Sequence, residues 1–148
     1  MNDTDYTILL VEDEDNDATL LKIAFKKNGI HNPVQWVRDG LEAVAYLNGD
    51  GAYADRQKYV FPGILILDLK MPRMTGLELL AWIWERPHLR VIPTIVMTSS
   101  RQDQDVQKAY ELGANTYITK PSSFDELVSL TGSIHHYWTS AVKPRVAT

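Results

Sequence analysis

Asp68 ends the most apolar run of the chain, Gly63-Ile-Leu-Ile-Leu-Asp68. Pro62-Gly63 on one side and Met71-Pro72 on the other bound that run, which reads as a central strand of a parallel sheet. Burying a carboxylate there costs several kcal/mol unless it is paired or neutralised. At the carboxyl end of a strand, however, it sits where open α/β sheets place their ligands. Other strand candidates end in equally reactive groups. Tyr6-Thr-Ile-Leu-Leu-Val11 runs into Glu12-Asp13, Pro93-Thr-Ile-Val-Met97 into Thr98, and Asn115-Thr-Tyr-Ile-Thr119 into Lys120-Pro121. Three acids, a hydroxyl and a lysine at strand ends make a candidate site.

The acids set its chemistry. Two like charges about 4 Å apart repel by roughly 4 kcal/mol at an effective dielectric of 20, so the cluster must bind protons or a cation. All-oxygen ligands favour a hard ion, Mg²⁺ or Mn²⁺. With the acids screened, a phosphoryl group could approach Asp68, and its carboxylate could attack phosphorus to form an acyl phosphate. The equatorial oxygens of that group then need partners as charge develops. The cation, the Lys120 ammonium and the Thr98 hydroxyl with nearby backbone N–H groups suit that task.

The elements that must position these groups alternate. Strands are expected at 6–11, 34–38, 63–68, 92–97 and 115–118, with helical segments near 15–28, 40–48, 76–86, 102–112 and 123–139. Such alternation argues for βαβ crossovers and a parallel sheet covered on both faces. Thr75-Gly-Leu-Glu78 and Ser123-Phe-Asp-Glu126 fit the capping box at helix starts, and Gly29 and Gly113 stand where helices stop. In the last helix Phe124, Leu127, Val128, Thr131, Ile134 and Trp138 form one apolar stripe. Residues 48–62 form a long irregular connection, which signals a functional or mobile loop. The end after about Ser140 reads as frayed.

Bulk properties narrow the classes. At 148 residues, 45% hydrophobic and 23% charged, the chain fits one globular domain. A net charge of −4 gives no pull toward nucleic acid or an anionic membrane, and no apolar stretch is long enough to cross a bilayer. The absence of cysteine excludes disulfides and thiolate catalysis and fits a cytoplasmic location. His31, His88, His135 and His136 show no zinc-ligand spacing and read as surface residues, although His135-His136 beside Tyr137-Trp138 could belong to an interface.

In its ordered motifs the sequence resembles the receiver domains of two-component response regulators. The matching residues are Val11-Glu-Asp13, Leu67-Asp-Leu-Lys-Met-Pro72, Gly76, Met97-Thr-Ser-Ser100, Gly113-Ala114 and Tyr117-Ile-Thr-Lys-Pro121. Asp68 to Thr98 is 30 residues and Thr98 to Lys120 is 22, both at the family's spacing. The resemblance implies an α/β, flavodoxin-like (βα)5 fold with strand order 2-1-3-4-5 and helices on both faces. It implies Asp68 as phosphoacceptor, Asp13 and Asp68 as direct Mg²⁺ ligands, Glu12 acting through water, and the Lys70 carbonyl completing the set. Thr98 and Tyr117 would be the switch pair, Lys120 the phosphate-pairing cation and Pro121 a cis proline. Lys70 and Ser100 fall where the family tunes hydrolysis.

Within the family, the 48–62 insertion, Trp82-Ile-Trp84 and the long last helix are similar to the single-domain regulators that partner bacterial and cyanobacterial phytochromes. One receiver over 1–148 with a core of about 6–139 is expected, and about ten residues after the last helix are too few for an output domain. The expected partner is a sensor histidine kinase such as a phytochrome, and the signal must leave by contact with a downstream protein. A homodimer through the fourth helix, fifth strand and fifth helix is a further expectation. Two other readings stay open. A phosphohydrolase of the haloacid dehalogenase type also uses a strand-end Asp, but wants a second Asp where Lys70 stands. A pseudo-receiver binding module would lack the acceptor, the acid pair or the lysine.

Overall fold

In the computed structural model, which describes residues 6–141, the apolar runs form one five-stranded sheet in the order β2-β1-β3-β4-β5. The strands are β1 (Ile8–Val11), β2 (Val34–Val37), β3 (Ile64–Leu67), β4 (Thr94–Thr98) and β5 (Thr116–Thr119), and every neighbouring pair is parallel. Five long helices connect and follow them: α1 (Asp15–Lys27), α2 (Gly40–Asn48), α3 (Gly76–Trp84), α4 (Asp103–Glu111) and α5 (Phe124–Ser140). The expected flavodoxin-like order is thus the observed one. A short helical turn at Pro87–Arg90, absent from the expectation, begins on a proline that the first turn tolerates.

Alternation along the strands sorts the core into two layers. Leu9, Val11, Leu65, Leu67 and Val96 face α2, α3 and α4, with Tyr46, Leu79, Leu80 and Ala109 against them. Ile8, Leu10, Ile64, Ile66 and Met97 face the other way, onto Ala18, Leu21 and Phe25 of α1 and Trp138 of α5. Both faces are therefore dry, which explains why the central strands read as continuous apolar runs.

Local chemistry sets the helix ends. Thr75 and Glu78 form the full reciprocal capping box at α3. At α5 only half of the expected box forms: Ser123 Oγ accepts from the Glu126 N–H, while the Glu126 carboxylate accepts from Ser122 Oγ. Gly113, at φ 98°, follows α4 and lies so close to Trp84 that a Cβ there would meet the indole at 2.8 Å.

The 48–62 insertion is anchored to α2 through a few contacts. Tyr46 is fully buried and donates to the Val60 carbonyl at 2.6 Å, with Tyr53 tilted against it and Tyr59 edge-on at centroid distances of 5.2 and 6.0 Å. Arg56 clamps the Tyr46 carbonyl at 2.7 Å. The frayed end expected after about Ser140 falls largely outside the described residues. No peptide bond among the described residues is cis, so Lys120–Pro121 is trans, contrary to expectation. Trans is the intrinsically favoured isomer by about 0.5–1 kcal/mol, and nothing in the sequence overrides that preference.

Gly76 ties the fold to the site. An added Cβ would collide with the Asp68 carbonyl oxygen and come within 2.7 Å of Leu69 Cα, both rigid backbone. Gly76→Ala is expected to cost about 3 kcal/mol or more, read as a lowered urea midpoint with unchanged m-value.

Candidate functional site

Parallel register delivers the site. Val11 pairs with Leu67, so the next residues, Glu12 and Asp68, leave the sheet side by side. The Asp68 N–H donates to the Val11 carbonyl at 3.0 Å, and the Lys120 N–H to the Thr98 carbonyl at 2.8 Å. Each reactive side chain thus starts from a backbone position fixed by the ladder.

Asp68 is 6% exposed and fully engaged. Its Oδ1 accepts from Thr98 Oγ1 at 2.6 Å and from the Lys70 N–H at 3.3 Å, and its Oδ2 accepts from Lys120 Nζ at 3.0 Å. Burial alone would raise its pKa, yet the Thr98 hydroxyl, the Lys120 charge and the Lys70 N–H together hold it below the ordinary carboxylate value. Glu12 goes the other way. Burial and the neighbouring Asp68 charge push it up to about 7, against the pull of Lys120 and the Glu14 N–H. Two acids in one site are therefore driven apart, Asp68 toward the anion and Glu12 toward the acid.

Asp13 completes the acid cluster. Ligand oxygens of Glu12, Asp13 and Asp68 all lie within 4.8 Å of one another. Asp13 Oδ1 is buried without a hydrogen-bond partner. Such an orphaned oxygen is costly unless something else occupies its lone pairs. A hard divalent cation fits: the donors are all oxygen, anionic and convergent. Backbone contacts brace the same corner. Trp36 Nε1 donates to the Glu12 carbonyl at 2.7 Å, and Lys22 and Arg38 lie over the indole at 5.0 and 4.4 Å.

Lys120 is the counter-charge. Its Nζ lies 2.6 Å from Asp17 Oδ2, 2.8 Å from Glu12 Oε1 and 3.0 Å from Asp68 Oδ2. Burial would favour the neutral amine, but Asp17 and Glu12 outweigh it and hold the ammonium charged. Asp17 escaped the sequence reading because Glu12-Asp-Glu-Asp-Asn-Asp17 looks like a solvated acidic run. The signal available was its place in the first turn of α1, four residues beyond Asp13.

The loop after β3 is held from outside. Arg73, the only non-glycine described residue at positive φ (62°), donates through Nε to buried Asp39 at 2.7 Å and adds a second contact at 2.6 Å. Asp39 also caps α2 through the Glu42 N–H. This clasp, invisible in the sequence, joins the β2–α2 and β3–α3 loops and holds a conformation that otherwise costs about 1 kcal/mol or more.

On the other flank, Thr98 is fully buried and already bonded to Asp68. Tyr117 is half-buried, and its hydroxyl donates to the Ser100 carbonyl at 3.0 Å. The hydroxyl of Ser100 donates to Asp105, which also takes Lys70 Nζ at 3.4 Å. Asp105 was missed too, and it joins the two positions singled out for tuning. The structure thus brings Glu12, Asp13, Asp68, Thr98 and Lys120 together. Tyr117 stands behind Thr98, and the Lys70 main chain lies against the Asp68 carboxylate.

Comparison with known proteins accounts for this arrangement. Residues 8–131 match the response regulator receiver domain family. The probable methanogenesis regulatory protein FilR2 of Methanothrix harundinacea is 37% identical over 136 residues, covering 90% of this chain and 83% of its own. Response regulator Rcp1 of Synechocystis sp. is 36% identical over 135 residues, covering 91% of this chain and 90% of its own. Its Mn²⁺-bound crystal structure superposes with a TM-score of 0.84 at 35% identity, over 95% of this chain and 99% of that one. The phosphorylated cyanobacterial phytochrome response regulator RcpA superposes with a TM-score of 0.87, also at 35% identity and over 95% and 99% of the two chains. The acidic cluster is accordingly a divalent-cation site of the receiver kind, for Mg²⁺ or Mn²⁺. With its 2-1-3-4-5 sheet and this cluster at the carboxyl edge, the chain belongs to the response regulator receiver domain family.

Proposed function

We propose that this protein is a phosphorylation-controlled signalling switch that takes a phosphoryl group from the phosphohistidine of a sensor histidine kinase onto Asp68. The observation that carries the reading is the Asp68 carboxylate held ionised between Thr98 Oγ1 and Lys120 Nζ beside the acid pair. One carboxylate oxygen of Asp68 bonds to phosphorus as the P–N bond to imidazole breaks, and the imidazole keeps the electron pair and takes a proton. Asp13, Asp68, the Lys70 carbonyl and, through water, Glu12 would hold a divalent cation, which would neutralise the acids and offset charge on the phosphoryl oxygens. Lys120 pairs with a phosphoryl oxygen and Thr98 donates to another. Phosphate thereby holds Thr98 inward and favours the inward Tyr117, with its hydroxyl on Ser100, over one turned out to solvent, and the surface of α4, β5 and α5 takes the form a downstream partner reads.

The same residues speak against the rivals. Lys70 stands where a phosphohydrolase needs its acid, and its ammonium is paired with Asp105, so turnover of phosphoesters is not supported. A phosphate-independent module would have no need of the whole set of acceptor, acids, hydroxyl and lysine. The likeness to RcpA, a cyanobacterial phytochrome response regulator, supports a phytochrome as the kinase, with the exchange in the cytoplasm. Residues 8–131 serve as one receiver, whose signal passes on by protein contact. Edge strand β5 and Tyr137, which is 72% exposed, support a homodimer through α4, β5 and α5. Sedimentation at high micromolar concentration is expected to give twice the 16.8 kDa chain mass; a monomer with and without phosphate mimic would remove the dimer.

Incubation with Mg²⁺ and acetyl phosphate is expected to add one phosphoryl mass to the wild type and none to Asp68→Asn. Labelled Asp68→Asn would move the acceptor elsewhere. For the cation, Asp13→Asn is expected to weaken Mn²⁺ binding by about tenfold or more in a calorimetric titration. Its metal-free melting temperature should stay level or rise, because a like charge leaves the cluster.

A further inference from the structure

An ammonium carries three N–H donors. All three of Lys120's are satisfied by carboxylates: Asp17 at 2.6 Å, Glu12 at 2.8 Å and Asp68 at 3.0 Å. A phosphoryl oxygen can reach Lys120 only if one of these acceptors yields. Glu12 and Asp68 each have another claimant, since both belong to the cation cluster and Asp68 is itself the acceptor. Asp17 does not belong to that cluster. It sits in the first turn of α1, fixed by the helix that starts at Asp15, and Lys120 is the partner the structure gives it. Its side chain is 40% exposed, against 6% for Glu12 and 7% for Asp68.

We infer that Asp17 is a standing anionic competitor for Lys120, which restrains the handover of the lysine to the phosphoryl group and so sets how tightly the phosphorylated state is held. The inference rests on the proposed receiver reading, in which Lys120 pairs with phosphate. Two consequences follow from the geometry. First, Asp17 retains one Lys120 donor on the α1 side after Glu12 and Asp68 are drawn off, so the lysine approaches the phosphoryl group from a fixed direction. Second, Asp17 adds a negative charge beside an incoming anion. The first effect needs only a hydrogen-bond acceptor; the second needs the charge. Asn supplies the acceptor without the charge, and Glu keeps the charge. The two substitutions therefore separate competition from scaffolding.

The test is binding of beryllofluoride, a phosphoryl mimic, to the full chain in the presence of Mg²⁺, read by tryptophan fluorescence at low and high salt. Asp17→Asn is expected to bind about two- to fivefold more tightly than wild type, the size of a half-exposed ion pair. Asp17→Glu should stay near wild type, and so should Asp15→Asn, which removes the charge of the exposed Asp15–Arg38 pair two residues before Asp17 in the same turn. The gain should shrink at about 1 M salt, where such charges are screened. Equal or weaker binding by a folded Asp17→Asn, or an equal gain in Asp15→Asn, overturns the competitor role while the receiver reading stands. Failure of the wild type itself to bind beryllofluoride overturns both.

Discussion

Negative charge crowded at the carboxyl edge of the sheet is the constraint on which the rest of the structure depends. Glu12, Asp13 and Asp68 converge within 4.8 Å, in a corner where two of them are nearly dry. Unit charges at that spacing repel by several kcal/mol unless something intervenes. Three responses are visible. Glu12 moves toward its acid form, with its pKa pushed up to about 7. Lys120 is held charged against its own burial. Asp13 leaves a buried oxygen without a hydrogen-bond partner. Each response fails alone, because protonating Glu12 leaves Asp13 and Asp68, and Lys120 has only three protons to give. The site thus retains negative charge that a bound cation would neutralise.

Such a site demands a stiff frame. The ladder supplies most of it, through the pairing of Val11 with Leu67 and the Lys120 N–H on the Thr98 carbonyl. The loops beyond the ladder need their own restraints. Gly76 lets α3 start against the Asp68 carbonyl, and Arg73 accepts a left-handed backbone because buried Asp39 holds its guanidinium. Trp36 fixes the Glu12 carbonyl from the β2 side. These contacts come from three different connections, so the acids cannot simply move apart to relieve their repulsion. Strain stored in a frame of this kind is a common property of functional loops.

The parts of this arrangement that follow from local pattern could be read from the chain. Apolar runs that end in Glu12-Asp13, Asp68, Thr98 and Lys120 identify both the strands and the site, because a parallel sheet collects its carboxyl ends on one edge. Helix limits at Thr75 and Gly113 follow from capping chemistry in the same way. What escaped reading depends on partners distant in sequence. Asp17 and Asp105 lie in helices whose acids look solvated, and only the folded chain sets them against Lys120 and Ser100. Arg73 owes its conformation to Asp39, 34 residues earlier. The 48–62 connection looked irregular because its order comes from three tyrosines spread over two elements. The Lys120–Pro121 isomer carries no local signal at all.

Distant partners also explain how one carboxylate could address a whole face. Asp68 bonds Thr98, and two residues on, the Ser100 carbonyl accepts from Tyr117. Ser100 also donates to Asp105 of α4, Asp105 pairs with Lys70, and the Lys70 N–H returns to Asp68. The contacts close a ring through β4, α4 and the β3–α3 loop, with Tyr117 of β5 attached. A ring differs from a chain in one respect: its members cannot shift independently. Displacing Thr98 would, on the proposed function, act through the Ser100 backbone on the Tyr117 and Asp105 contacts. On the proposed function, this closure gives phosphorylation a route to α4 and β5 that runs through hydrogen bonds rather than through deformation of the packed core. Cores resist graded deformation and prefer discrete arrangements. The Tyr117–Ser100 and Lys70–Asp105 links are partly exposed and can exchange partners at modest cost. The charge problem at the sheet edge and the signalling surface are therefore one structure seen from two sides, joined by the few groups that touch both.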